Sequence, residues 1–146
     1  MLSATAQHAI RALARLAQVP PGESILGREL AAAAAVPANF LARILLTLRN
    51  AGVVDATRGS GGGYRLLKPA DQITLMEVAE LFEGVHALPG CFLGEKHACS
   101  DQDACVAHRG WKAVCNAYLD FMTTTTIADL GSPKGHSRPR RTRISP

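Results

Sequence analysis

The stretch Pro37–Leu67, PANFLARILLTLRNAGVVDATRGSGGGYRLL, decides how this chain folds. Its first half places Phe40, Leu41, Ile44, Leu45 and Leu48 on one side of a helical wheel. Asn39, Arg43, Thr47 and Arg49 fall on the other side, which is the period of a half-buried helix. Pro37 suits a first helical position and Gly52 is a natural stop. The second half reads as two short strands, Val53–Thr57 and Tyr64–Leu67, joined by a glycine-rich link into a hairpin. The glycines lead into a strand and no Lys-Ser/Thr follows them, which excludes a phosphate-binding loop.

Upstream, Ala4–Gln18 carries Ala6, Ala9, Ile10, Leu13, Leu16 and Ala17 on one helical face, with Arg11 and Arg15 opposite. PPGES interrupts it, and Leu26–Val36 reads as a second, alanine-rich helix of high propensity. Two short helices, a tight turn, a third helix and a hairpin make the winged helix-turn-helix plan. On that plan Pro37–Asn50 enters a major groove, where Arg pairs with guanine and Asn with adenine. Asn39, Ala42, Arg43 and Arg49 are the candidate contacts on this helix. Arg58 and Arg65 flank the glycines of the hairpin tip, and a narrow minor groove attracts such an Arg. The plainer reading, a small α+β domain with Arg43 and Arg49 on a solvated face, stays open at this level.

Charge divides along the chain. Residues 1–70 hold eight Lys/Arg against three Asp/Glu, residues 71–130 three against nine, and the last sixteen residues five against none. The front is suited to a polyanion and the middle is not. Thr74–Gly84 is a fourth helix with Leu75, Val78, Ala79 and Phe82 on one face. Further on, Trp111, Cys115, Tyr118 and Met122 are spaced four, three, four, a heptad seam flanked by Val114 and Phe121. The expected fold class is therefore mainly α with a small β-hairpin wing, a winged helix-turn-helix followed by a long C-terminal helix. The expected domains are a DNA-binding unit over 1–70, a loop and helices over 71–130, to which the family resemblance described below assigns cluster binding and dimerisation, and a basic, disordered tail over 131–146. No run of about 18 apolar residues suggests a membrane span. No basic segment, apolar core and cleavage site open the chain, so the expected compartment is the cytoplasm.

Between the fourth helix and the seam lies CFLGEKHACSDQDACVAH, Cys91–His108, with three of the four cysteines. In a reducing compartment clustered cysteines point to metal or redox chemistry. Cys91, Cys99 and Cys105 are separated by seven and five residues, with His108 three beyond. No Cys-x-x-Cys pair occurs, and the wide spacing suits thiolates wrapping an iron–sulfur cluster, with a histidine replacing one of them. A zinc site that staples the loop and a metal-free thiol switch are the alternatives. Cys115 on the seam reads as a buried thiol, His97 and His136 as solvated. A Cys105–His108 nucleophile and base would lack an orienting third group and leave Cys91 and Cys99 unused. Neither catalytic residues nor a small-molecule substrate is therefore expected.

LSATAQHAIRALARLA, RGSGGGYRL, CFLGEKHACSDQDACVAHRGW and TTTTIADL together resemble the IscR/NsrR-type family of bacterial winged-helix iron–sulfur regulators, over about residues 2–130. The wing motif is the most specific match. The resemblance implies a homodimeric transcriptional regulator, most often a repressor, that reads a palindromic double-stranded DNA operator. It implies a 2Fe–2S or 4Fe–4S cluster on Cys91, Cys99 and Cys105, with His108 as fourth ligand. In other branches a carboxylate on the first helix of the partner subunit completes the site. The matching position here is Gln7, or its neighbour His8, and glutamine is a poor ligand. Ala42 stands where one branch often has an acidic residue. The resemblance also implies dimerisation through the long helix, from Trp111 to Met122.

Overall fold

A computed structural model describes residues 2–59, 62–84, 90–93, 101–102 and 104–131. Helix α1 spans Ala4–Leu16, opened by Ser3, whose Oγ accepts from the Ala6 amide. Helix α2 spans Gly27–Ala34 and α3 spans Ala38–Asn50, with their axes at 108°. That angle lies in the helix-turn-helix range. The turn is Ala35–Pro37. Ala35 adopts the left-handed conformation, φ 52° and ψ 50°, and the Val36 amide donates back to the Ala31 carbonyl. Pro37, expected as the first helical residue, is the N-cap instead, with ψ 136°.

Strands β1 (Val54–Thr57) and β2 (Gly63–Leu66) pair antiparallel, with Asp55 opposite Arg65 and Thr57 opposite Gly63. Ile25, just before α2, bridges Tyr64 by two backbone hydrogen bonds of 2.8 and 3.0 Å, so the wing is sewn to the helices. Ile25 lies so close that a Cβ on Gly63 would strike its carbonyl. After a 3-10 turn at Ala70–Gln72 come α4 (Leu75–Glu83), α5 (His108–Thr124) and α6 (Ile127–Gly131). Thr74 caps α4 by accepting from the Glu77 amide.

Helix α1 is the hub, packed against α2, α3, α4 and α6. Leu13, Leu30, Leu41, Leu45, Leu48, Ile73, Val78, Met122 and Ile127 are essentially fully buried in one core. Each such side chain contributes about 1.5–3 kcal/mol of burial. The core draws on residues before and after position 70 alike. Helix α6 was not foreseen. It forms because Thr126 and Asp129 make a capping pair, with the Thr126 amide and hydroxyl both donating to Asp129 Oδ2. Its end, Gly131, packs on Ala17 and the Ala14 carbonyl.

Two expected orientations are corrected. Phe40 is 50% exposed rather than inward. It borders the Leu41–Ile44–Leu45–Leu48 stripe in the first turn of α3, and its ring meets His8 edge-on at 6.4 Å. Met122, expected at a dimer interface, is 1% exposed in this chain's own core. The apolar residues that α5 leaves open are Val114 and Phe121, 52% and 53% exposed.

Candidate nucleic-acid interface and cysteine site

Helix α3 carries its polar side chains outward. Asn39, Ala42, Arg43 and Arg49 are all exposed, and so is Leu46. These positions recur every three or four residues, so they form one face, as a major-groove helix requires. Thr47 is turned back on its own helix, its hydroxyl donating to the Arg43 carbonyl. Arg58 is exposed where β1 leaves for the tip. Gly59 follows at φ 102°, a conformation side chains rarely adopt. Arg65 is on the same hairpin, but its guanidinium donates to Asp55 Oδ2 at 3.2 Å across the strands. Sequence reading passed over Arg28, exposed in the first turn of α2. In helix-turn-helix proteins this helix crosses the phosphate backbone. Its signal was position, the second residue of a helix before a tight turn.

The cysteine site is built around the start of α5. The indole Nε1 of Trp111 donates to the Gly90 carbonyl at 2.7 Å, and the Phe92 ring lies 5.4 Å from the indole. Cys91, between these two contacts, is thereby fastened beside α5. Cys105 lies just ahead of the helix rather than opening it, and its carbonyl accepts from the His108 amide at 3.0 Å. Cys105 and His108 therefore stand at the N-terminal end of α5, and the segment Gly90–Phe92 that carries Cys91 is docked on Trp111 in the first turn of the same helix. No acidic side chain occupies its first turn, and the unsatisfied amides of a helix start favour negative charge. Asp101 also reaches this place. Its Oδ1 lies 2.9 Å from His108 Nε2, and both its oxygens accept from Lys112 Nζ at 2.9 Å. Lys112, and then His108, hold the Asp101 carboxyl below the usual aspartate range.

Cys99, His97, His136 and the tail over 132–146 lie outside the described residues. Among the described residues no three His, Cys, Asp or Glu side chains close into a metal site. Gln7 uses its side-chain amide to donate to the Leu2 carbonyl, and His8 lies against Phe40. Both sit on α1 rather than at the start of α5. Cys115 and Tyr118 are half-buried on α5. Burial, and the Glu83 carboxylate nearby, push the Tyr118 phenol up.

A right-angled helix pair with an exposed polar face, backed by a wing with an exposed arginine, defines a winged-helix DNA-binding transcriptional regulator. The chain belongs to the Rrf2 family, described as "Iron-dependent Transcriptional regulator", whose model matches residues 2–133. It is a regulator rather than an enzyme. It is 29% identical to the HTH-type transcriptional regulator NsrR of Bacillus licheniformis, over 90% of this chain and 92% of that one. CymR, the global cysteine regulator of B. subtilis, shares the fold with TM-score 0.72 and 22% identity, over 90% of this chain and 95% of that one. IscR of T. potens does so with TM-score 0.68 and 22% identity, over 89% and 85%. No single helix among the described residues is long and apolar enough to cross a membrane.

Proposed function

We propose that this chain is a cytoplasmic, homodimeric repressor whose grip on DNA is set by an iron–sulfur cluster held by Cys91, Cys99, Cys105 and His108. The observation that carries the reading is the docking of the Gly90–Phe92 segment, which carries Cys91, on Trp111 in the first turn of the helix that Cys105 and His108 lead into. Two thiol donors and an imidazole at an electropositive helix end are the donor chemistry such a cluster takes. When bound, it supplies iron that reacts with oxidants or nitric oxide and can be lost.

The rest follows from this chain's own residues. Asn39, Ala42 and Arg43 meet base edges from the front of α3, Arg49 closes that face, and Arg28 and Arg58 hold phosphate or minor groove. Two-fold symmetry gives a palindromic operator, with half-sites about one or two helical turns apart. Helix α5 is about 25 Å long, and Met122 is its one buried residue. An exposed stripe through Val114 and Phe121, with Trp111 and Tyr118 beside it, is what a second copy would cover. In the sequence Cys91 and Cys105 lie between the DNA-reading head and that helix, so on this reading releasing them alters how two heads are spaced. A tenfold change in DNA affinity needs only about 1.4 kcal/mol.

The deciding measurement is the visible absorbance of protein purified without oxygen, with iron and sulfide assayed on the same sample. Brown protein with matching iron and sulfide is the expected result, and their ratio to protein chooses between two and four irons. Colourless protein that cannot be reconstituted overturns the cluster. A zinc-stapled loop or a metal-free thiol switch on Cys91 and Cys105 then takes its place.

A further inference from the structure

We propose that Leu46, with Ala42 one turn before it, reads the methyl groups of thymine in the major groove. This rests on the reading of α3 as the groove helix. At about 100° per residue, the outer face of α3 runs in order through Arg49, Ala42, Leu46, Asn39, Asn50 and Arg43. All six are exposed, and Leu46 is 58% exposed. The buried stripe of Leu41, Ile44, Leu45 and Leu48 lies on the other side of the helix. Leu46 therefore stands near the middle of the face that enters DNA, with Ala42 beside it and an arginine at each edge.

A single exposed leucine is ordinary on a protein surface, so its place matters and its exposure alone does not. In the major groove guanine, cytosine and adenine show only donors and acceptors, whereas thymine adds its C5 methyl. A leucine laid over the polar edges strips their water and returns no hydrogen bond, which weakens binding. Over thymine it buries methyl against methyl, which strengthens binding. Leu46 thus favours thymine twice, by contact with it and by penalty against the other bases. Alanine is also a residue that meets this methyl, so Ala42 extends the same ridge. The two side chains are about 6 Å apart along the helix axis, and stacked base pairs are about 3.4 Å apart, so the ridge covers about two steps. The ligand that fits it is a short thymine-containing run in each half-site.

The test uses the full chain, purified without oxygen, and duplexes that it selects from a random-sequence library at fixed salt. The selected sites should hold a thymine whose replacement by uracil, which removes the methyl alone, weakens wild-type binding roughly fourfold per half-site, the worth of one buried methyl-sized group. At the same position 5-methylcytosine should bind better than cytosine. Leu46→Ala should bind the thymine and uracil duplexes alike. Its slope of log affinity against log salt should match that of wild type, since no phosphate contact is lost. A wild type indifferent to uracil at every thymine of the selected sites overturns the proposal, and so does a Leu46→Ala variant that keeps the wild-type sensitivity. If Asn39→Ala or Arg43→Ala meanwhile changes the selected bases, α3 stays in the groove and only Leu46 leaves the readout. If both of those variants select the wild-type sequences, or wild type enriches none, α3 does not read bases and the proposal falls with that reading.

Discussion

At the scale of single residues, the helix-turn-helix turns on Ala35. Its φ of 52° is forced by the sharp exit from α2, where the Ala35 and Val36 amides close back on the helix's last carbonyls. Alanine in that conformation costs about 1–2 kcal/mol, whereas glycine adopts it freely. The Ala35 methyl is exposed, so its removal loses little packing. Ala35→Gly should therefore raise stability by about 0.5–1 kcal/mol, read as a higher denaturant midpoint at unchanged slope. A fall in the midpoint would mean that flexibility gained by the unfolded chain outweighs the relieved strain. Nothing in the alanine run Ala31–Ala35 marked position 35 as the left-handed one. The signal was only the Pro37 that follows.

At the scale of elements, the wing is held by its base rather than by its own two strands. A two-stranded hairpin is marginal alone in water. Here the Ile25 bridge adds a third partner, and Tyr64 packs over Gly27 at 3.3 Å from where its Cβ would stand. Gly63→Ala should push β2 off Ile25 and cost about 1–3 kcal/mol, the usual penalty for overpacking. Because it tilts the wing, DNA affinity should fall as well, measured by titration of a fixed duplex at fixed salt. Unchanged stability and affinity would show that the wing tolerates separation from the helices. The sequence marked the hairpin clearly, through its glycines and strand residues. Why position 63 in particular is glycine became visible only with Ile25 beside it.

At the scale of the whole molecule, one core joins the head to the end of α5. Ile127 donates its amide to the Ile73 carbonyl, Leu75 donates to Thr125, and α6 then returns to α1. The C-terminal half of α5 is thus anchored, while Val114 and Phe121 stay exposed. On the proposed dimer, Phe121→Glu places a charge at the centre of the covered stripe. It should weaken association by about 2 kcal/mol or more, seen as monomer in sedimentation at concentrations where wild type is dimeric. Since Phe121 is half-exposed in the single chain, the variant should keep its helical signal. A variant that remains fully dimeric would place the interface elsewhere.

By itself the sequence determined the order of the main elements as far as α5, the helix-turn-helix with its wing, and the clustering of thiols ahead of a long helix. These rest on short-range physics, namely hydrophobic period, caps and turn residues, which neighbouring positions encode between themselves. Which stripe of α5 faces its own core was decided only by the tertiary structure. With 3.6 residues per turn, Trp111–Cys115–Tyr118–Met122 and Trp111–Val114–Tyr118–Phe121 are equally good seams, and the packing of α4 and Ile73 chose the first for burial at Met122. The same holds for Phe40 turning outward, for the return of α6 onto α1, and for Asp101 meeting His108 and Lys112. Each depends on contacts between residues distant in sequence, and no local pattern specifies such a meeting.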